Sequence, residues 1–187
     1  MAEVTIPNSP VHSDIIITYP YGIVDSGYSC GWHTGVDFAP YGDTENNPIL
    51  YPVKKGRVVA TPIDNVLGYQ AQILDEDGNY WRYCHMVANS VQVSVGQDVD
   101  LNTPIGRMGA TGNVTGRHLH LECSTTQSWQ CATFLNPCNI LNIPNIDNTI
   151  IKYDGSTPPV PPEPTIIEKK KFPWVLYAEK LRKRRTL

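Results

Sequence analysis

The sequence predicts a mainly β protein: an antiparallel, sandwich-like sheet with loops walling a groove. Three observations carry the prediction. Runs rich in Val, Ile, Tyr and Trp, six to eight residues long, follow one another with turn residues between them. Sixteen prolines and fourteen glycines favour turns and short strands over long helices. No apolar pattern of helical period occurs before the C-terminal segment.

Taken in order, "DIIITYP" is the first expected strand. From Tyr21 to Pro52 the chain is rich in Gly, Asp, Asn and Pro and reads as loop broken by short extended pieces. Strands are then expected at "GRVVAT" (56–61), "YQAQIL" (69–74), "NYWRYCHM" (79–86), "SVQVSV" (90–95), "TPIGRMG" (103–109) and "RHLHLEC" (117–123). "DEDGNY" (75–80) is a hairpin turn, with an Asp-Gly pair where positive φ is needed. "WQCATFLNPCNIL" has room for one short helical turn. Residues 157–164, "TPPVPPEP", form a stiff polyproline-type spacer that cannot join a sheet. This divides the chain into a domain at 1–153 with its motif core at 20–140, a Pro-rich linker at 154–164 and a basic amphipathic tail at 165–187.

With 187 residues, 41% of them hydrophobic and 18% charged, the chain is long enough for one cored domain and an appendage. The tail carries eight basic and two acidic side chains, net +6, which leaves −9 on residues 1–164 against −3 for the whole. One basic run of this kind supports only salt-sensitive contact with nucleic acid, not specific recognition. There is no run of ~18 apolar residues, so no transmembrane segment is expected. "MAEVTIPNSP" has no basic start followed by an apolar run, so no secretory signal is expected either. Five cysteines without a Cys-x-x-Cys pair argue against a disulfide framework. Reduced, partly buried thiols are the expectation, with Cys123–Cys138 or Cys131–Cys138 as the bridges to weigh against it.

Four of the five histidines fall in three compact motifs. His33 precedes Asp37 in "WHTGVDF", His85 ends a strand in "YCHM", and His118 and His120 flank Leu119. On a strand, His118 and His120 share one face while Leu119 and Leu121 share the other. Catalytic zinc commonly takes three ligands from His and Asp/Glu and keeps a fourth position for water. His33, Asp37 and one of the paired histidines would make such a site. The remaining histidines would then be free to move protons and stabilise an oxyanion. No His-Glu-x-x-His helix is present to supply a carboxylate base. Singly, His-x-x-x-Asp or His-x-His is as well explained by packing; together, in this order, they are not.

At these residues the chain resembles the lysostaphin-type zinc metallopeptidases, the M23 family of peptidoglycan endopeptidases, over roughly residues 20–140. "HTGVDF", "YPVKKGRVVAT", "GNYWRYCHM" and "VSVGQDVDLNTPIGRMGATGNVTGRHLHLE" follow the family pattern in order, and "FLNPCNIL" is similar to its closing Asn/Asp-Pro. The resemblance implies one zinc ion held by His33, Asp37 and His120, with His85 and His118 as catalytic, non-ligand histidines. It implies hydrolysis of peptidoglycan peptide bonds, in cell-wall lysis or penetration. Met86 stands where Leu is common, "QDVDLNT" lacks a usual turn glycine, and "APYGDTENNPILYP" is peculiar to this chain and shapes one groove wall.

Around this core, Glu122 shares the predicted face of His120 and is placed to orient an imidazole, or to serve the sheet surface. Cys84, beside His85, would point away from the metal on a regular strand. His12 reads as a surface residue. Trp32 lines the groove or packs. In the tail, a helix would put Trp174, Tyr177 and Leu181 on one face, apart from its basic residues, suiting an anionic surface or a virion or tail protein. A compact hydrolase with a spacer and basic tail resembles bacteriophage endolysins or tail-associated enzymes, carried on a virion or released at lysis to act on the cell wall. The competing readings are a catalytically silent wall-binding or virion structural protein of the same fold, and a phosphocarrier with paired histidines.

Overall fold

A computed structural model describes residues 2–42 and 47–156. The proposed linker beyond residue 156 and the whole tail lie outside the described residues. Thirteen strands are found among the described residues: β1 (Glu3–Ile6), β2 (Ile15–Tyr19), β3 (Val36–Pro40), β4 (Ile49–Leu50), β5 (Gly56–Ala60), β6 (Ile63–Asp64), β7 (Gly68–Asp75), β8 (Tyr80–Met86), β9 (Asp98–Val99), β10 (Gly106–Arg107), β11 (Leu119–Ser124), β12 (Phe134–Leu135) and β13 (Ile150–Tyr153). A 3-10 turn at Cys131–Thr133 and the five-residue helix α1 (Pro137–Leu141) complete them.

One sheet runs in the order β1-β13-β2-β3-β11-β8-β7-β5-β9, with β12 on β11 and β6 on β7; β10 and β4 form a separate pair. Pairing is antiparallel throughout except at the edge, where β1 runs parallel to β13. Neither of these two strands is among those expected from the sequence. They close the domain by joining its first described segment to its last.

Period-2 burial builds the core. On β2, Ile15 and Ile17 are sealed while Thr18 is exposed. On β3, β8 and β11 the core side chains are Val36 and Phe38, Trp81 and Tyr83, and Leu119 and Leu121. The register confirms the shared face, since Leu121 sits opposite Tyr83 and Val36, and Leu119 opposite Phe38. Trp81 donates its indole N–H to Asp75 (2.8 Å), and the Tyr83 hydroxyl accepts the Val53 amide (2.9 Å), so both polar tips are satisfied. The hairpin turn forms as the residues dictate: Gly78 has φ +89°, and Asp75 accepts the amides of Asp77 and Asn79.

Two expected strands need correction. Residues 90–95 form none. Their alternation buries Val93, leaves Val95 63% exposed and makes only scattered bonds, Gln92 N–H to Ile105 O and Ser94 N–H to the Gln97 side chain. Residues 103–109 shrink to the two residues of β10, paired with β4. In both places β-type residues find a buried surface but no long partner strand.

Candidate metal centre

Asp37 and His120 are direct cross-strand partners on β3 and β11. Their neighbours on both sides are core residues, so alternation turns the carboxylate and the imidazole together to the opposite face. His33 enters from the loop before β3, where its Nδ1 donates to the Pro20 carbonyl (2.9 Å). Gly35 lets this loop lie flat on β11. A Cβ there would stand 2.6 Å from Leu121 O and 2.8 Å from His120 Cε1.

Three donor atoms meet as a result. His33 Nε2 is 3.1 Å from Asp37 Oδ1 and 3.0 Å from His120 Nδ1, and the latter is 2.7 Å from Asp37 Oδ1. All three residues are buried. Donors ~2.0–2.2 Å from one tetrahedral ion stand about 3.4 Å apart, so this triangle is only slightly tight. The protons explain why the donors face inward. A carbonyl can only accept, so His33 carries its proton on Nδ1 and turns a lone pair on Nε2 to the centre. His120 gives Nε2–H to the Glu122 carboxylate (3.1 Å), leaving Nδ1 as its inward lone pair. Two imidazole lone pairs and a carboxylate oxygen converge, an arrangement that needs a cation. The two carboxylates favour positive charge at this same place. Burial opposes charge at both residues. The hydrogen bonds and charges of His120 and His33 nevertheless hold the Asp37 carboxyl well below its usual range, and Asp37 and Glu122 raise His120 to about 9.

His85 arrives by a different route. Regular alternation from Tyr83 would aim it into the core. Instead, only Gln70 on β7 lies opposite both Cys84 and His85 in the interrupted register, and His85 takes φ +59°. The bulge carries His85 to the metal side, where Nδ1 donates to Thr111 O (2.8 Å) and the ring lies 4.8 Å from His118. Burial lowers its pKa to about 4. His118 stands just before β11, half-buried; its Nδ1 donates to Gly116 O (2.9 Å) and its Nε2 lies 3.7 Å from Asp37 Oδ2. The structure thus gathers His33, Asp37, His85, His118 and His120. Cys84 is fully buried and free, as a packing residue would be, but the condition set on its direction is not met. The strand is not regular there, and the buried thiol is pushed up by burial and then by the Glu122 charge.

Among the other residues of the site, the sequence singles out Glu122 and Trp32, with orienting an imidazole as one reading of Glu122; it does not single out Thr34, Arg82, Tyr19 or Tyr28. Glu122 is buried and accepts from Thr34 (2.5 Å) and from Arg82, besides His120; burial alone would raise it, but these partners hold it at about 2. Arg82 could have been noticed as a charge inside an otherwise apolar strand. Tyr19 and Tyr28 pack against His33 at 4.8 and 5.1 Å. Trp32 meets Tyr21 and Phe134 edge-on at 5.0 and 6.0 Å, forming an aromatic wall. That wall is fastened by a disulfide between Cys30 and Cys131, 101 residues apart. This corrects the expectation of reduced thiols and both weighed pairings, since Cys123 and Cys138 are buried and free. His12 is not a plain surface residue. It is half-buried and stacks on Tyr51 (3.6 Å) and Tyr153 (4.8 Å), away from the metal centre.

The family model "Peptidase family M23" matches residues 31–131, more than half of the chain. Among solved structures, the catalytic domain of the antimicrobial peptidase lysostaphin from Staphylococcus simulans is similar at 29% identity. That match covers 67% of this chain and 91% of the other, with a TM-score of 0.58. A longer lysostaphin structure from the same organism matches at 28% identity over 67% of this chain and 49% of the other, TM-score 0.56. The protein LytU matches at 26% over 67% and 83%, also with a TM-score of 0.56.

Proposed function

This chain belongs to peptidase family M23, and from that premise we propose that it is a zinc-dependent endopeptidase hydrolysing peptide bonds of bacterial peptidoglycan. The observation that carries the reading is the inward convergence of the His33, Asp37 and His120 donors, with two further imidazoles beside them. We assign those three residues as the metal ligands. Zinc held there would polarise a peptide carbonyl and bring the pKa of a bound water towards ~7.

The rest of the chemistry falls to the chain. His85 and His118 both have Nδ1–H tied to a backbone carbonyl, which leaves Nε2 of each as an acceptor. His118 is the more open of the two, and its Nε2 lies 3.7 Å from Asp37 Oδ2. It takes the proton of the attacking water and returns it to the departing amine. His85, held deeper by the bulge, orients the water through its Nε2 acceptor. The aromatic wall of Trp32, Tyr21 and Phe134 borders the substrate's path, suiting a thin peptide chain.

A narrower role goes with the appended segments. The Pro-rich spacer and the basic tail suit an enzyme carried on a virus particle or freed at lysis, with the tail contacting a virion protein or an anionic surface. The Cys30–Cys131 bridge supports work outside a reducing cytosol. Deleting residues 157–187 should leave hydrolysis intact and abolish particle or surface association.

Digestion of purified cell walls tests the main reading. Mass analysis should find new amine and carboxyl ends within the wall peptides and none in the glycan. A chelator should stop the reaction and zinc should restore it. Wall lysis at full rate by a His120→Ala protein would overturn the assignment.

A further inference from the structure

Behind His120 a line of contacts runs away from the metal centre across three strands. Glu122 divides its two oxygens. Oε1 accepts from His120 Nε2 (3.1 Å) and Thr34 (2.5 Å), while Oε2 is taken by both Nε and Nη2 of Arg82. Arg82 and Glu122 are cross-strand partners on β8 and β11, both largely buried. Over the guanidinium lies the Trp129 ring, with the Arg82 carbon 4.2 Å from its centroid. The indole N–H reaches Gln72 (3.3 Å), the partner of Arg82 on β7.

Trp129 holds this place in an unfavourable conformation. Its φ is +51°, where a bulky side chain is rarely found. Such a conformation survives only if the surroundings over-determine it, and it is commonest where a function uses it. Two residues further on, Cys131 is bonded to Cys30, which is three residues before His33. The segment carrying Trp129 is therefore pinned to the segment carrying a ligand.

We infer that Arg82 and Trp129 are positioning residues of the metal centre: Trp129 shields Arg82 from water, Arg82 fixes Glu122, and Glu122 holds His120 with Nδ1 turned inward. An Arg–carboxylate pair open to water is screened and worth little; the same pair under an indole is stronger and better ordered. With Oε2 occupied, Oε1 remains to meet the imidazole proton. No part of this line touches the reacting atoms, so its effect appears first in how firmly the metal is held. The inference rests on the assignment of His120 as a ligand.

The test uses the full chain. The zinc dissociation constant is measured by competition with a chromophoric chelator, and the visible spectrum is recorded after cobalt replaces zinc. Arg82→Met should weaken zinc binding by about 10–100-fold and shift the cobalt bands. Arg82→Lys, which keeps charge but loses the fork, should fall between Arg82→Met and wild type. Trp129→Ala should weaken binding about three- to tenfold, and Trp129→Phe, which keeps a ring over the guanidinium, should restore it. If Arg82→Met does not fold, the two Trp129 variants decide. Wild-type zinc affinity in Arg82→Met and Trp129→Ala would overturn the inference, as would a change confined to KM or thermal stability. A His120→Ala protein that still binds zinc tightly would instead overturn the ligand assignment beneath it.

Discussion

Asp37 and His120 are held by regular stretches of neighbouring strands, with His33 pressed against them from a loop, whereas His85 and His118 come from irregular backbone at the end of β8 and just before β11. Asp37 and His120 face each other in an uninterrupted register between core side chains, and His33 lies sealed against them. His85 sits at a bulge in left-handed backbone, and His118 meets the sheet only through an isolated bridge to Gly109. The contrast suits the roles proposed for the two groups. Ligands have to keep a fixed spacing to hold one ion. Proton carriers have to approach, accept and release, and their hydrogen bonds tighten only when substrate is present.

The contrast predicts a separation of metal loss from loss of turnover. Asp37→Ala or His120→Ala should remove both bound zinc and wall-lytic activity, measured by metal content and by clearing of wall suspensions. His118→Ala and His85→Ala should keep about one zinc per chain while turnover falls roughly 10²–10⁴-fold. Zinc loss in those two variants would erase the distinction between the groups. Gly35→Ala probes the sheet-held side without replacing a ligand. Its methyl would press on Leu121 O and on the His120 ring. Zinc affinity should drop about 10–100-fold, as when an outer-shell contact is lost, and a chelator titration measures it. The smallest effect on the centre is expected at the loop wall. Opening the Cys30–Cys131 bridge by Cys30→Ser should lower stability by about 2–4 kcal/mol in denaturant melts. Zinc should stay bound, because Asp37 and His120 take their spacing from strand register and His33 keeps its bond to the Pro20 carbonyl.

The same divide explains what could be read in the residues. His120 was legible because its strand alternates regularly, so its neighbours reveal its face; His118 was legible as its pair, although it lies just before β11, and Asp37 through its spacing from His33. The Leu119–His120–Leu121 triplet announces a polar group opposite core. His85 was legible as a histidine in a motif but not as a direction. Counting from Tyr83 points it the wrong way, and only the register slip against Gln70 corrects it. Trp129 and Arg82 were hidden because each acts through a partner far away in the chain. The disulfide was hidden for the same reason: its two sulfurs are brought together by the packing of a loop on a 3-10 turn, which spacing does not encode. Strand β1 alternates over only four residues and β13 does not alternate, so pairing more than pattern makes them strands. "SVQVSV" shows the converse, a pattern without a partner.

The parallel pairing of β1 with β13 has a mechanical consequence. Glu3 stands beside Ile150 and Ile6 beside Tyr153, so one strand enters the fold and its neighbour leaves it in the same sense. A load drawn between the entry of β1 and the exit of β13 therefore slides the two past each other along their length. In that geometry the rungs share the tension and must give way together, whereas an antiparallel edge unzips one rung at a time. Such a load falls on the edge of the sheet, with β2 between it and the paired β3 and β11 that bear Asp37 and His120.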